Sequence, residues 1–171
     1  MQIKKTNKDL WKNFLEKIKN LLKNFYGENL LAAVVFGSAA RGDFTKSSDL
    51  DILIILKQAP ESLGKRIDKF MQLFLEIRKT KEYIMAKDSG LPHKLEPVIM
   101  SQEEFQNHPP LLLDLTTDAN PLIDEEKIFV QEINVLRQRL NELGAKKVIL
   151  DNARWYWILK PDIKWGEEVT I

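Results

Sequence analysis

The sequence of 171 residues contains no cysteine. This absence excludes disulfide bonds, zinc sites built from thiolates and catalysis by a cysteine nucleophile. It also suits a reducing compartment, so we expect a cytoplasmic protein. The chain has no run approaching the roughly 18 apolar residues of a membrane-spanning helix, and residues 1–8 are mostly polar, so neither secretion nor membrane insertion is expected.

The chain also lacks an excess of either charge. The 26 Lys and Arg residues nearly balance the 25 Asp and Glu residues, which leaves a formal net charge of +1. No global field therefore draws the molecule onto nucleic acid or an anionic membrane, and any nucleic-acid binding would need a local patch. The length and the 44% apolar content predict a globular protein with one core. We expect one domain over residues 1–145, with a C-terminal strand and aromatic tail at 146–171 packed on the same core.

Hydrophobic spacing along the chain alternates between helical and strand-like segments. Short, continuous apolar runs predict buried strands at 30–36, 50–56 and 95–100, the last of them at a sheet edge because of Pro97. Helical spacing predicts helices at 10–25, at 60–75 and at 125–143, and Ser101 with Glu104 forms the capping box of a short helix. Together these elements predict a layered arrangement of helices on a sheet.

Two acidic residues occupy the start of the second strand run. Asp49 and Asp51 flank Leu50, and ten residues separate Asp49 from the pair Gly37–Ser38 that ends the first run. Because strand side chains alternate, both carboxylates should point to one face, about 7 Å apart. Two such carboxylates in a buried fold are stabilised by a cation, and oxygen ligands select Mg²⁺ or Mn²⁺. The spacing therefore predicts a divalent-metal site.

The Gly37–Ser38 pair supplies a second kind of site. A glycine at the end of a strand lets backbone approach a ligand closely. Free backbone amides in the following turn and the Ser38 hydroxyl can hold phosphate oxygens. A phosphate site would then face the metal site.

The stretch GSAARGDFTKSSDLDILI resembles the signature of the DNA polymerase β superfamily, and among its members the minimal nucleotidyltransferases of archaea and bacteria. The resemblance implies an α+β nucleotidyltransferase fold: a small mixed sheet that carries an acidic triad, with helices packed on the other face. It also implies a third metal ligand, for which Glu96 is the best match. The implied activity is transfer of a nucleoside monophosphate, AMP by preference, from a triphosphate such as ATP to a hydroxyl acceptor, with Mg²⁺ or Mn²⁺ and release of pyrophosphate.

Several alternatives stay open at this point. Asp88 competes with Glu96 as third ligand, and Arg41 either contacts the nucleotide or pairs with Asp43. The aromatic residues Trp155 to Trp157 either stack on a base or close the core. RNA, a small hydroxylated molecule and a protein are all compatible acceptors. Two rival functions are an antitoxin-type nucleotidyltransferase that binds a toxin-like helical partner, and a catalytically silent nucleotide-binding module.

Overall fold

The computed structural model describes residues 2–151 and 154–171. The helices are α1 (Gln2–Tyr26), α2 (Gly37–Arg41), α3 (Leu63–Arg78), α4 (Lys81–Asp88), α5 (Gln102–Gln106), α6 (Leu111–Leu115) and α7 (Ile128–Glu142). The strands are β1 (Leu30–Phe36), β2 (Leu50–Leu56), β3 (Leu95–Ser101), β4 (Ala119–Ile123), β5 (Lys146–Asp151) and β6 (Arg154–Ile158). Within these described residues, no helix is both long and apolar enough to span a membrane.

The main sheet has the strand order β3-β2-β1-β4. β1 runs antiparallel to both β2 and β4, whereas β2 and β3 are parallel. The parallel pair is possible because α3 and α4 form the crossover between its two strands. β3 lies at the edge of the sheet, as its proline predicted, since Pro97 has no amide to donate to a further strand. The predicted α+β fold with a small mixed sheet is confirmed.

Helices cover both faces of this sheet. On one face, α1, α3 and α4 pack on alternate strand residues such as Val35, Ile52 and Ile54, and together they form the first core. On the other face, α5, α6 and α7 pack on Leu53 and Ile55, and together they form the second core. Both cores exclude water almost completely, and the fully buried side chains come from the strands and from facing helices. Asp51 lies on the same face as Leu53 and Ile55, so this acidic face also carries helices, whereas helices were predicted on the other face.

Helix α3 departs in detail from the sequence prediction. It begins at Leu63 rather than at Pro60. Its buried face is formed by Arg66, Phe70, Leu73 and Ile77. Of the six apolar positions predicted from helical spacing, Phe70 is buried and Phe74 partly buried, whereas Leu63, Ile67, Met71 and Leu75 are 40–70% exposed. Arg66 turns inward because its guanidinium donates to the carbonyl of Ile99 at 2.9 Å and to both carboxylate oxygens of Glu104 at 2.7 and 2.9 Å. This pairing compensates for the burial of the charge.

Three further elements had no clear sequence signal. α4 and α6 are short, and β4 contains Pro121 and is mostly exposed apart from Ile123. The predicted capping box at Ser101 and Glu104 is present at the start of α5. α7 begins three residues later than predicted because the Asp124 carboxylate accepts hydrogen bonds from the amides of Phe129 and Val130, both at 3.0 Å.

The C-terminal strands form a separate antiparallel pair, β5–β6. Trp157 of β6 packs against the second core, as do Leu159 and Ile171 further along the chain. The hairpin therefore rests on the same side of the main sheet as α6 and α7. The division into residues 1–145 and 146–171 stays a prediction.

Candidate active site

Gly37 begins the site at the end of β1. Its backbone has φ +66°, a left-handed conformation that L side chains rarely adopt. A Cβ atom at this position would lie 2.5 Å from Oδ2 of Asp51, far inside van der Waals contact. Two independent constraints thus require glycine: the backbone angle and the closeness of the Asp51 carboxylate. The close approach of the Gly37 backbone to a ligand stays a prediction, and the structure adds its closeness to Asp51.

Glu96 lies beside Asp51 in the sheet. The parallel register of β2 and β3 pairs Asp51 with Glu96 directly, on strands that are about 4.8 Å apart. In β3, Val98 and Met100 share the face of Glu96, and both pack against the second core. In β2, Leu53 shares the face of Asp51 and belongs to the same core. The fold therefore brings both carboxylates to one face of the sheet.

The electrostatics of Asp51 agree with this placement. Burial raises the pKa of Asp51, and the neighbouring carboxylates of Glu96 and Asp49 raise it further, while Arg41 lowers it. Carboxylates that repel one another in this way favour a shared cation. All three donors are oxygen atoms, a set that fits Mg²⁺ or Mn²⁺.

The side chains do not converge as they stand. Among residues 2–151 and 154–171, no group of three His, Cys, Asp or Glu side chains is arranged so that it could hold a metal ion. Asp51 is half-buried, Asp49 precedes β2 and Glu96 is exposed. The metal-ligand roles of Asp49, Asp51 and Glu96 therefore stay predictions, supported by the register and by the donor chemistry.

Asp88, the rival third ligand, lies elsewhere. It is the exposed last residue of α4. The buried residues of α4, Tyr83 and Ala86, belong to the first core, on the opposite face from Asp51. The carboxylates that act on the pKa of Asp51 are Glu96 and Asp49. The fold therefore favours Glu96 over Asp88.

Arg41, the last residue of α2, forms the ion pair that was one of its two predicted roles. Its Nε donates to Asp43 at 3.0 Å, and its NH1 donates to Asp118 at 3.3 Å. The Ser38 carbonyl accepts from the amides of Gly42 and Asp43, which closes the turn after α2. Nucleotide binding by Gly37, Ser38 and Arg41 stays a prediction, and Arg41 would have to exchange carboxylate partners for phosphate.

A cavity of about 190 Å³ opens directly beside these residues. Gly37, Arg41 and Asp51 line one side of it, and the other side comes from α6, the loop after it and β6: Asp114, Leu115, Asp118 and Trp155. Sequence reasoning missed Asp114 and Asp118. The segment DLTTD that contains them has no motif, and only the packing of α6 against the β5–β6 hairpin reveals their position.

Comparisons with known proteins agree with the predicted resemblance. Residues 16–96 match the family described as Polymerase beta, Nucleotidyltransferase, a segment that contains Gly37, Asp49 and Asp51 and ends at Glu96. This segment of the chain is therefore similar to nucleotidyltransferase domains of the polymerase β type.

Relatives among curated proteins match over shorter segments. One protein of Methanocaldococcus jannaschii named "Putative protein adenylyltransferase" is 37% identical over 57 residues, which is 33% of this chain and 37% of that protein. A second protein of the same name and organism is 38% identical over 52 residues, or 30% of this chain and 48% of the relative. The matched segments thus span less than half of each of these relatives.

Solved structures show a more distant similarity. A chain of the MntA–HpeT toxin–antitoxin crystal structure is 18% identical, with 76% of this chain and 92% of that chain covered and a TM-score of 0.45. A chain in the structure of a tri-AMPylated Shewanella oneidensis HEPN toxin with MNT antitoxin is also 18% identical, with 78% and 92% covered and a TM-score of 0.43.

Proposed function

We propose that this nucleotidyltransferase domain transfers AMP from ATP to a hydroxyl acceptor and releases pyrophosphate. The observation that carries the proposal is the strand register that pairs Asp51 with Glu96 beside the Gly37 turn. A metal site accounts for two carboxylates that lie side by side in the sheet. A phosphate site accounts for a residue without a side chain packed against one of them.

Each residue has a distinct role in this proposal. Asp49, Asp51 and Glu96 would hold Mg²⁺ or Mn²⁺, which when bound supplies charge neutralisation for the pyrophosphate and a lowered pKa for the acceptor hydroxyl. The backbone at Gly37 and the Ser38 hydroxyl would hold phosphate oxygens, and Arg41 would add a guanidinium. The acceptor oxygen forms a bond to the α-phosphorus and loses its proton, while the bond from that phosphorus to the departing pyrophosphate breaks.

For the acceptor we propose a side-chain hydroxyl of a protein. This choice rests on the names of the M. jannaschii relatives, which describe protein adenylyltransferases. RNA and small hydroxylated molecules are the alternatives that the same catalytic face allows. Incubation with ATP labelled at the α-phosphate and with each acceptor class separates them, because only the true acceptor retains the label.

The metal and nucleotide assignments are tested by calorimetry with Mg²⁺ and a non-hydrolysable ATP analogue. We expect the Asp49→Ala/Asp51→Ala variant to lose the metal-dependent part of the affinity. Asp68→Ala, which removes an exposed carboxylate on α3 remote from the site, serves as the control. Equal binding by the wild type and the double variant would show that the site is wrong.

The rival functions give different results in the same experiments. A catalytically silent module would bind the analogue but transfer no label to any acceptor. An antitoxin-type protein would form a stable complex with a helical partner. The antitoxin-type function stays a prediction from the resemblance.

A further inference from the structure

The β5–β6 hairpin places its three consecutive aromatic residues in different environments. Trp157 packs against the second core, and Tyr156, on the alternate face of the strand, is 48% exposed. Trp155 instead lines the cavity that also contains Gly37 and Asp51. Core closure therefore accounts for Trp157 but not for Trp155.

The indole of Trp155 is held at its edge. Its Nε1 donates to Oδ1 of Asp114 at 2.7 Å, and the same oxygen accepts from Nε1 of Trp157 at 3.1 Å. Nζ of Lys147 lies 3.3 Å from this carboxylate. A hydrogen bond at the ring edge fixes the orientation of the indole without itself covering either π face.

Two cations lie over the π surface of the ring. Nζ of Lys147 is 4.8 Å from the ring centroid, and the Arg41 guanidinium carbon is 6.0 Å from it. Asp118 accepts from both, at 3.1 Å from Lys147 and 3.3 Å from Arg41. Lys147 is largely buried among its partners, whereas Arg41 is the more distant cation and would gain a new partner in a triphosphate. When the Arg41 guanidinium turns to the triphosphate, a base can take the part of the ring surface that Arg41 covers.

The remaining walls suit a flat apolar group. Phe36, Leu111 and Leu115 line the cavity beside Trp155. Its volume of about 190 Å³ is below the roughly 300–1,000 Å³ of sites that enclose a whole drug-sized ligand. The cavity therefore has room for one part of a nucleotide, with the phosphates extending toward Gly37 and the acidic residues.

We infer that Trp155 is the residue on which the nucleobase of the triphosphate stacks, and that the C-terminal hairpin completes the nucleotide site. This inference rests on the proposed function. Stacking on an indole is tolerant of base identity because every base has a π face. The hairpin thus supplies affinity for the nucleoside end, while the Gly37 turn and the acidic residues act on the phosphate end.

The test compares two ligands by calorimetry with Mg²⁺: a non-hydrolysable ATP analogue and inorganic tripolyphosphate, which has no base. The decisive variants are Trp155→Leu and Trp155→Phe. Both lose the hydrogen bond to Asp114 and both stay apolar, but only phenylalanine retains a π face. Tyr156→Leu, on the exposed face of the same strand, is the control, and thermal unfolding checks that each variant is folded.

We expect Trp155→Leu to bind the ATP analogue at least about fivefold more weakly, equivalent to about 1 kcal/mol at 1.4 kcal/mol per tenfold, with tripolyphosphate binding unchanged. Trp155→Phe and Tyr156→Leu should keep most of the nucleotide affinity. Equal loss of both ligands in Trp155→Leu, or equal effects of leucine and phenylalanine, would overturn the inference. A wild-type protein that binds neither ligand would instead refute the proposed function, and the inference with it.

Discussion

Replacement of Gly37 by alanine separates the two constraints on this residue. The added Cβ would lie 2.5 Å from Oδ2 of Asp51 and 3.4 Å from its Cγ. Relief to an ordinary contact distance of about 3.5 Å moves the carboxylate oxygen by about 1 Å. Because that oxygen ends a short side chain, rotation of Asp51 relieves the overlap at little cost to folding. The cost falls on the geometry of Asp51 as a proposed metal ligand.

Gly42 provides a matched control for the backbone term. It also has a left-handed conformation, with φ +79°, but a Cβ there would meet no atom within 4 Å. Alanine at either position costs about 1–2 kcal/mol of stability from the unfavourable backbone angle. We therefore expect similar free energies of unfolding for Gly37→Ala and Gly42→Ala, measured by denaturant titration.

The two variants should differ in metal-dependent nucleotide binding. Displacement of a charged ligand costs about 1.5–3 kcal/mol, so Gly37→Ala should weaken Mg²⁺-dependent binding of a non-hydrolysable ATP analogue by about tenfold or more. Gly42→Ala should bind nearly as well as the wild type. If both variants bind equally well, or lose affinity in parallel with stability, the closeness of Gly37 to Asp51 has no functional meaning and the reasoning fails.

Three further predictions follow from other residues. Glu96→Gln should lower the rate of AMP transfer by orders of magnitude with little change in ATP-analogue affinity, whereas Asp88→Asn should change neither; a large rate loss only in Asp88→Asn would reverse the assignment. Arg66→Met should cost about 1–3 kcal/mol in denaturant unfolding because it leaves the Ile99 carbonyl without its buried donor, while the exposed Lys65→Met should be neutral. The Arg66 guanidinium, with the Ser101 amide, lowers the pKa of Glu104 to about 2, so this pair should stabilise the fold above about pH 4.5 and lose that contribution as the pH falls toward 2. The contribution is reduced because Glu104 is 46% exposed, and an unchanged acid profile in Glu104→Gln would contradict it.

The strands around the site were predictable because their signal is local. β1 and β2 were predicted with their observed bounds, since each is a short apolar run and a turn and a polar loop separate the two. Gly37 was identified from its position at a strand end, and the structure adds the reason in the nearby carboxylate of Asp51. The register that pairs Asp51 with Glu96 needed the fold, because nothing local determines which residues of two parallel strands lie side by side.

The residues on the far wall of the cavity could not be predicted in the same way. Asp114 and Asp118 acquire their positions through contacts with Trp155 and Lys147, which lie far along the chain. The exposed row on α3 was also misassigned, because helical spacing alone cannot show that a partly buried ion pair with Glu104 would turn Arg66 inward. Long-range polar pairing, rather than hydrophobic periodicity, decided both outcomes.

The crossover through α3 and α4 has a consequence for the order in which the site is assembled during folding. β1, α2 and β2 are contiguous in the chain, so Gly37, Asp49 and Asp51 can come together as a local antiparallel hairpin. Glu96 reaches Asp51 only after both crossover helices have docked, because closing the longer loop costs more chain entropy. We therefore expect the glycine turn and two of the acids to be brought together earlier in folding than the third.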